Sequence, residues 1–519
     1  MVNGSDLIGG TWSALPGSEV ESRNPAHPDR VIWRGTPSLT HVDSALDAAR
    51  SALKVWSRWE PESRFAVLRR YAEICDAKKT ELAGLIADET GKAMWDAASE
   101  AGFLSNKVTI TLDATEHGPL RRVTPFDVTL SKSRVGRTRF MPHGVMSVIA
   151  PYNFPAHLAN GHIVPALATG NTVVLKPSEK SPAVGQFMAE MFNEALAEKG
   201  APPGVVNLVH GGAATASRLT TDSRTDGVLF TGSWAVGRRI LEANLDRPGR
   251  IVALEMGGNN PAIVMDDANT RQALIEVARS AFVTTGQRCT CTRRLIVHEK
   301  IADKFIASLV PIARELVVGD PRAASPVFMG PTISEHNRLA ILKFCENLDR
   351  SGASFDLRPH ATGNEGWYIT PGIARVERFV ASEPPASSGN PLRDNMTFDP
   401  GSDIEVFGPV LRYCVVRDLE EAIQQANATR YGLAASIFTR SERAADEFFS
   451  RVRAGCLNVN TGTAGASSKL PFGGLGLSGN HRPAGSFSLD YCAVPVAGMI
   501  ERGDDAALPA GMSLGGISV

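Results

Sequence analysis

Apolar residues in "THVDSALDAARSALKVWSRW" recur at helical spacing at Val42, Leu46, Ala49, Leu53 and Trp56. Thr40 and Asp43 stand where a capping box would start that helix. A helical region is predicted to follow to about residue 110. Over residues 120–142, "LRRVTPFDVTLSKSRVGRTRFMP", β-branched and aromatic residues alternate with basic and polar ones, the pattern of a half-exposed hairpin or arm. From residue 145 short apolar runs ("VMSVIAP", "TVVLKPSE", "VVNLVHG", "GVLFTGS", "IVALEMGG", "AIVM") are separated by amphipathic segments such as 182–198 and 234–244. That alternation predicts an α/β fold with a doubly wound parallel sheet. A second alternation follows Gly257 and Gly258, with a helix at about 269–284, the strand "RLIVHE" and a helix from about 301. It predicts a second α/β domain whose boundary lies near the double glycine. No internal repeat is visible, and the last stretch, "DDAALPAGMSLGGISV", reads as a loose tail.

Composition narrows the function classes. A chain of 519 residues exceeds what one core usually holds. With 43% hydrophobic and 21% charged residues it reads as globular rather than disordered. A formal net charge of −1 gives no electrostatic footprint for nucleic acid or an anionic membrane, so any bound anion must be attracted locally. "MVNGSDLIGGTWSAL" has neither a basic start nor a continuous apolar core, and no stretch approaches the roughly 20 apolar residues of a membrane span. The seven cysteines, Cys75, Cys289, Cys291, Cys345, Cys414, Cys456 and Cys492, are scattered and contain no C-x-x-C pair. No disulfide framework or metal site is therefore expected, and a reducing cytoplasm is.

Four stretches carry chemistry. "TGSWAVG" follows the strand Gly227 to Phe230 and places Gly232, Ser233 and Gly237 at the entry to a helix, whose free N–H groups suit a pyrophosphate. It is neither a G-x-G-x-x-G fingerprint nor a P-loop, so a plain structural turn stays open. "LKPSE" ends a strand in Lys176 and Glu179 at the sheet edge where open α/β sheets bind ligands. A carboxylate there accepts hydrogen bonds from a ribose diol and repels a 2′-phosphate; an exposed Lys/Glu pair is the alternative. "ALEMGGNNP" puts Glu255 at the end of an apolar strand, where a carboxylate is either functional or salt-bridged. "TTGQRCTCTRR" sets Cys289 and Cys291 beside Arg288, Arg293 and Arg294. A cation nearby would raise the thiolate fraction above the few per cent of an ordinary thiol; two buried, inert cysteines are the alternative.

Taken together, "PYNFP", "KPSE", "FTGS", "LEMGGNNP", "GQRCT", "EVFGPV" and "PFGGLGLSG" resemble the aldehyde dehydrogenase superfamily in order and approximate spacing, over about residues 20–495. Glu255 and Cys289 stand 34 positions apart, also similar to the family's spacing of base and nucleophile. The resemblance implies Cys289 as nucleophile, Glu255 as general base, and Asn153 as the oxyanion donor beside the Cys289 backbone N–H. It implies NAD as cofactor, with Lys176 and Glu179 at the adenine-side ribose, Ser233 (with Gly232 and Gly237) at the pyrophosphate, and Glu405 with Phe407 at the nicotinamide ribose. It divides the chain into an NAD-binding domain (1–119 and 143–256), an oligomerisation arm (120–142 with 480–498), a catalytic domain (257–479) and a tail (499–519). A homodimer or larger homo-oligomer is implied, with no nucleic-acid or membrane partner.

Within the family, "PYNFPAHLANGHIVPALATGNT", "FVTTGQRCTCTRRL" and "SGNHRPAGSFSLDYCAVP" resemble the branch that oxidises N-succinylglutamate 5-semialdehyde in arginine breakdown by the succinyltransferase route. Such a substrate carries three carboxylates, so Arg288, His481 and Arg482 are candidate substrate contacts. For each of them a structural role is the alternative. His157 and His162 are expected to be packing or supporting residues, and Ala156, Ala159 and Gly161 could widen a tunnel for a long acid. Other acidic semialdehydes, glutamate 5-semialdehyde or succinate semialdehyde, stay open, as does a catalytically silent binding protein on the same fold.

Overall fold

Two seven-stranded sheets organise the chain. The computed structural model describes residues 1–516 apart from 364, 385, 386, 388 and 505–507, so part of the expected tail lies outside the described residues. The first sheet runs Ile251–Glu255, Gly227–Thr231, Val145–Ile149, Thr172–Lys176, Val206–Leu208, Ser5–Ile8, Thr11–Ala14. Its first five strands are parallel and its last two antiparallel. Every residue of Val145–Ile149, Thr172–Lys176 and Gly227–Thr231 is buried, which suits near-continuous apolar runs covered on both faces.

Alternate residues feed the two faces. Val148, Leu175 and Leu229 pack with Tyr71, Leu104, Ile163 and Phe192 from the helices Pro61–Ala77, Met94–Thr111, His157–Ala168 and Pro182–Glu198. Ile149, Val174 and Val228 pack with Leu46, Leu219 and Ile240 from Leu39–Trp56, Ala213–Thr221 and Trp234–Glu242. The second sheet runs Ser354–Leu357, Gly372–Arg375, Val410–Val416, Thr292–His298, Asn260–Val264, Ala434–Phe438, Cys456–Val459, parallel except at Ser354–Leu357. Four residues, Met256 to Asn259, join the edge strand Ile251–Glu255 of the first sheet to the central strand Asn260–Val264 of the second. Among the described residues no helix is long and apolar enough to cross a membrane.

Three features depart from the sequence reading. Five short strands within residues 2–35 precede the first helix; at two to five residues each they are too short to display an alternation. Ser5–Ile8 is held by a buried carboxylate, since Asp6 accepts the His210 backbone N–H at 2.9 Å and meets the rings of His210 at 2.9 Å and His41 at 2.8 Å. The expected capping box does not form. Leu39–Trp56 starts after Ser38 without a side-chain cap, and Asp43 is taken by Arg218 at 2.6 Å and Arg224 at 2.5 Å. Two guanidinium donors outcompete a neutral backbone N–H. The arm is a three-stranded antiparallel sheet of Phe126–Thr129, Arg134–Pro142 and Ala493–Glu501. Its C-terminal strand therefore starts at Ala493, while Leu489, Tyr491 and Cys492 sink into the first core.

A buried ion pair ties this core to the loop that leaves Val145–Ile149. Lys92 and Glu100 pair at 2.5 Å with side chains 1% and 0% exposed, and the ammonium lies 3.5 Å from the Phe154 ring centre. The other Glu100 oxygen accepts the N–H groups of Ala156 at 3.0 Å and His157 at 3.1 Å, filling free donors at the start of His157–Ala168. Removing one member of such a pair strands the other charge. Glu100→Ala is expected to destabilise the protein by about 3–5 kcal/mol. Lys92→Met/Glu100→Gln, which removes both charges and keeps an acceptor for the helix, should recover most of that loss. Urea unfolding midpoints check this; equal losses in the single and double variants would show that the charge is not what matters.

Candidate functional site

The carboxyl ends of the parallel strands converge on a cleft of about 490 Å³, the place where open α/β sheets bind ligands. Asn153, Lys176, Glu179, Gly232, Ser233, Cys289, Glu405 and Phe407 all line it. Ser233 precedes Trp234–Glu242 with no side-chain cap, so its hydroxyl and the first N–H groups of the helix are available to an anion. Lys176 is buried and donates to the carbonyls of Pro177 at 2.8 Å and Gly211 at 2.9 Å. Glu179 stands 3.7 Å from that ammonium, exposed at the rim. Glu405 accepts the Gly258 N–H at 3.1 Å and lies 3.6 Å from Arg293, and burial raises its carboxyl above the ordinary range. Phe407 meets Tyr152 edge-on at 6.1 Å. Gly237 does not line the cleft. A Cβ there would come within 2.3 Å of Met256 Sδ, so Gly237 lets the helix pack closely instead.

Cys289 is presented by a strained loop. The helix Thr270–Phe282 ends two residues before the sequence reading placed its end, and Thr284, Thr285 and Gly286 all take left-handed backbone angles, φ 55°, 55° and 68°. For two β-branched residues that conformation costs on the order of 1–3 kcal/mol each, so surrounding contacts must impose it. The Thr284 hydroxyl donates to Asp96 and the Thr285 hydroxyl to the Gly330 carbonyl at 2.7 Å. Gln287 accepts the Ile333 N–H at 3.0 Å, Arg293 donates to Gly286 and Arg288 carbonyls at 3.1 and 2.9 Å, and Asn260 donates to those of Cys289 and Cys291 at 2.7 and 2.8 Å. A Cβ on Gly286 would lie 2.1 Å from the Gly408 carbonyl oxygen, so only glycine fits there.

The outcome is asymmetric. Cys289 faces the cleft, while Cys291 is fully buried with Sγ 3.7 Å from the Val283 carbonyl. Neither the Cys289 backbone N–H nor the Asn153 amide has a hydrogen-bond partner among the described residues, so both donors remain available at residues that line the cleft. Of the arginines in that stretch, only Arg293 favours the Cys289 thiolate. Burial, then the carboxyls of Glu255 and Glu405, push the Cys289 thiol well above its ordinary range, with only Arg293 opposing.

Glu255 ends the strand Ile251–Glu255, buried, with both carboxyl oxygens unpartnered among the described residues. Burial alone raises its carboxyl well above the usual 4.5. It lines a second, narrow cavity rather than the cleft, together with Lys107, His157, Gly161, His162, Ser468 and Gly485.

The proposed substrate contacts lie elsewhere. Arg288 pairs with Asp96 at 2.7 Å, donates to Thr284 at 2.8 Å and stacks on Phe154 at 4.9 Å, so its charge is matched by Asp96 within the protein rather than offered to the cleft. His481 and Arg482 are exposed, in left-handed turns with φ 53° and 50°, and line neither cavity. His162 is fully partnered by Tyr491 at 2.8 Å and Thr231 at 3.1 Å, whereas His157 lies between Phe103 and Phe154 with its Nδ1 unpartnered. Sequence reasoning missed Asp96, which holds the Cys289 loop, Lys107, which lines the narrow cavity, and Lys180, which lines the cleft next to Glu179. For Lys107 the signal was there: in Met94–Thr111 it shares a face with Leu104, Val108 and Thr111, all buried.

The aldehyde dehydrogenase family model matches residues 12–379 and 399–495 of the chain. An N-succinylglutamate 5-semialdehyde dehydrogenase from Caulobacter sp. (strain K31) is 39% identical over 96% of this chain and 96% of that protein. Its namesake from Chromobacterium violaceum is 40% identical over 98% and 99%. Among solved structures, a Thermus 1-pyrroline-5-carboxylate dehydrogenase with bound NAD superposes with a TM-score of 0.85 at 29% identity, covering 96% of this chain and 92% of that one.

A raised thiol in a lined cleft has a kinetic signature. Without cofactor, iodoacetamide should label Cys289 slowly at pH 7, and the rate should climb through pH 9 without levelling near the ordinary thiol value of about 8.5. Peptide mass spectrometry across that range checks this; a plateau below pH 8 would mean the thiolate is already favoured.

Proposed function

The chain belongs to the aldehyde dehydrogenase family, and from that premise we propose that it oxidises N-succinyl-L-glutamate 5-semialdehyde to N-succinyl-L-glutamate with NAD. The observation that carries the substrate is the identity of 39% and 40%, across nearly the whole length, to two proteins bearing that enzyme's name. The chemistry rests on Cys289, Asn153 and Glu255.

In this reading the Cys289 thiol first gives up its proton to solvent in the cleft, Sγ adds to the aldehyde carbon, and the new alkoxide accepts hydrogen bonds from the Asn153 amide and the Cys289 N–H. Each such donor is worth a few kcal/mol where charge develops in a dry site. The bound dinucleotide supplies the hydride acceptor. Oxidation leaves a thioester on Cys289. Glu255 then takes a proton from water as the water attacks the thioester, the carbon–sulfur bond breaks, and the acid and thiol are released. Burial suits Glu255 to this step, because a carboxylate at about 4.5 would hold the proton weakly.

The donor set of the cleft fits a dinucleotide. Ser233 and the uncapped helix behind it suit the pyrophosphate, Lys176 with Glu179 one ribose, and Glu405 the other. Glu179 favours NAD, since a 2′-phosphate a few ångströms away would cost on the order of 1 kcal/mol even at the dielectric of water. The arm exposes Phe126, Val128, Leu130, Met141 and Met499, which supports a homodimer or larger assembly that covers them.

Initial rates with N-succinylglutamate, glutamate and succinate semialdehydes, each with NAD and NADP, test the reading. The highest kcat/KM is expected for the succinylated substrate with NAD; a clear preference for another aldehyde would move the substrate, and no turnover of any would favour a silent binding protein. Glu255→Gln should keep a rapid burst of NADH close to one per site and lose at least 100-fold in steady turnover. Loss of the burst, with cofactor binding and thiol labelling intact, would put Glu255 before oxidation instead.

A further inference from the structure

The narrow cavity beside Glu255 contains a lysine that forms no ion pair among the described residues. Lys107 is buried in Met94–Thr111, and its ammonium donates to two neutral acceptors, the Gly485 carbonyl at 2.8 Å and the Ser488 hydroxyl at 2.6 Å. Among the described residues no carboxylate pairs with it, in contrast to Lys92 on Glu100 and Arg288 on Asp96 close by. A buried ammonium without an anion is a costly arrangement, and its third donor is unassigned. Burial lowers Lys107 to about 8, which leaves the ammonium the main form at neutral pH.

Two further observations point to a ligand in the same space. His157 Nδ1 is covered, unpartnered, and belongs to a ring that also lines the cavity. Burial, then Lys107, Lys92 and Arg288, push His157 down to about 3, so it is neutral and can donate one hydrogen bond without adding charge. Gly161 lies inside His157–Ala168, where alanine would favour the helix, yet a Cβ there would meet nothing within 4 Å. The absent side chain keeps the cavity open at a point where packing does not require it.

We propose that the cavity walled by Lys107, His157 and Gly161, about 20 Å³ and sharing Leu158 and Thr231 with the cleft, receives a single carboxylate of the acidic aldehyde, with Lys107 binding it and Gly161 leaving room for it. Lys107 then takes the part that Arg288, His481 and Arg482 do not play. The inference rests on the acidic-semialdehyde reading above, but its site differs from the cleft that carries the cofactor residues. A carboxylate held there brings the counter-charge that the fold omits, and a neutral aldehyde of similar length gains nothing from it. The site thus selects by charge and not by chain length alone.

Wild type, Lys107→Met and Gly161→Leu are compared with N-succinylglutamate semialdehyde, succinate semialdehyde and hexanal. Thermal unfolding and Cys289 labelling report on whether each variant is folded. In Lys107→Met the kcat/KM ratio of the preferred acidic substrate to hexanal is expected to fall at least 20-fold, mainly through KM. Gly161→Leu keeps both Lys107 hydrogen bonds and should lower the same ratio by filling the space. Equal losses on all three aldehydes, or an unchanged ratio in both variants, would make Lys107 a structural tie to Gly485 and Ser488 and overturn the proposal. If wild type prefers succinate semialdehyde and Lys107→Met selectively loses it, the substrate named above falls while the carboxylate site stands. If wild type prefers hexanal, both fall.

Discussion

Desolvation of Glu255, fully buried, and of Cys289, half-buried where it faces the cleft, is the constraint on which the rest of the arrangement depends. A carboxyl with no hydrogen-bond partner and a thiol beside two carboxyls both resist ionisation in a dry site. Their mutual influence runs the same way, because a negative Glu255 opposes a negative sulfur. The pair is thereby held close to neutral until one proton moves. In the proposed reaction Glu255 acts as a base only after losing its own proton, and it then serves the water that attacks the thioester. A solvated pair would ionise at their ordinary values and lose the coupling.

The fold maintains this unfavourable local state with rigid surroundings. Glu255 cannot turn away into water, because it ends a buried strand bridged to Gly479, with the Met256 N–H bound to the Ser478 carbonyl at 2.9 Å. Cys289 is held by the left-handed run at Thr284, Thr285 and Gly286, and that run by Asp96, Gly330 and Ile333. Asp96 reaches across from Met94–Thr111, the helix that also supplies Glu100 to the start of His157–Ala168 and Lys107 to the cavity beside Glu255. One helix of the first core thus positions the loop of the second sheet, the segment that carries Asn153, and the cation that lacks a counter-ion.

Much of this was legible in the sequence where periodicity was strong. The apolar runs at 145–149, 172–176 and 227–231 form buried parallel strands because each is long enough, and β-branched enough, to be covered on two faces. Positions next to those strand ends could be assigned because strand ends are where ligands meet an open sheet. What adjacency in sequence does not carry is which partner a charge selects in space. Arg288 follows Gln287 and precedes Cys289, yet its guanidinium belongs to Asp96, 192 positions earlier. Asp43 sits where a cap is expected, yet Arg218 and Arg224 take it. The helix face of Lys107 marks it as buried but does not show that it lacks an ion pair, and the short N-terminal strands were invisible because a few residues cannot show a period.

The central claim is that burial tunes Glu255 into the base that releases the acid. The pH dependence of kcat, measured where hydrolysis of the acyl-enzyme limits turnover, tests it most directly, with Glu255→Gln as the reference that lacks the group. A base with a raised pKa must lose its proton before it acts, so kcat should rise with pH through a limb well above 4.5 that the variant lacks. A wild-type profile that stays flat down to about pH 5, or a limb that survives unchanged in Glu255→Gln, would contradict the account.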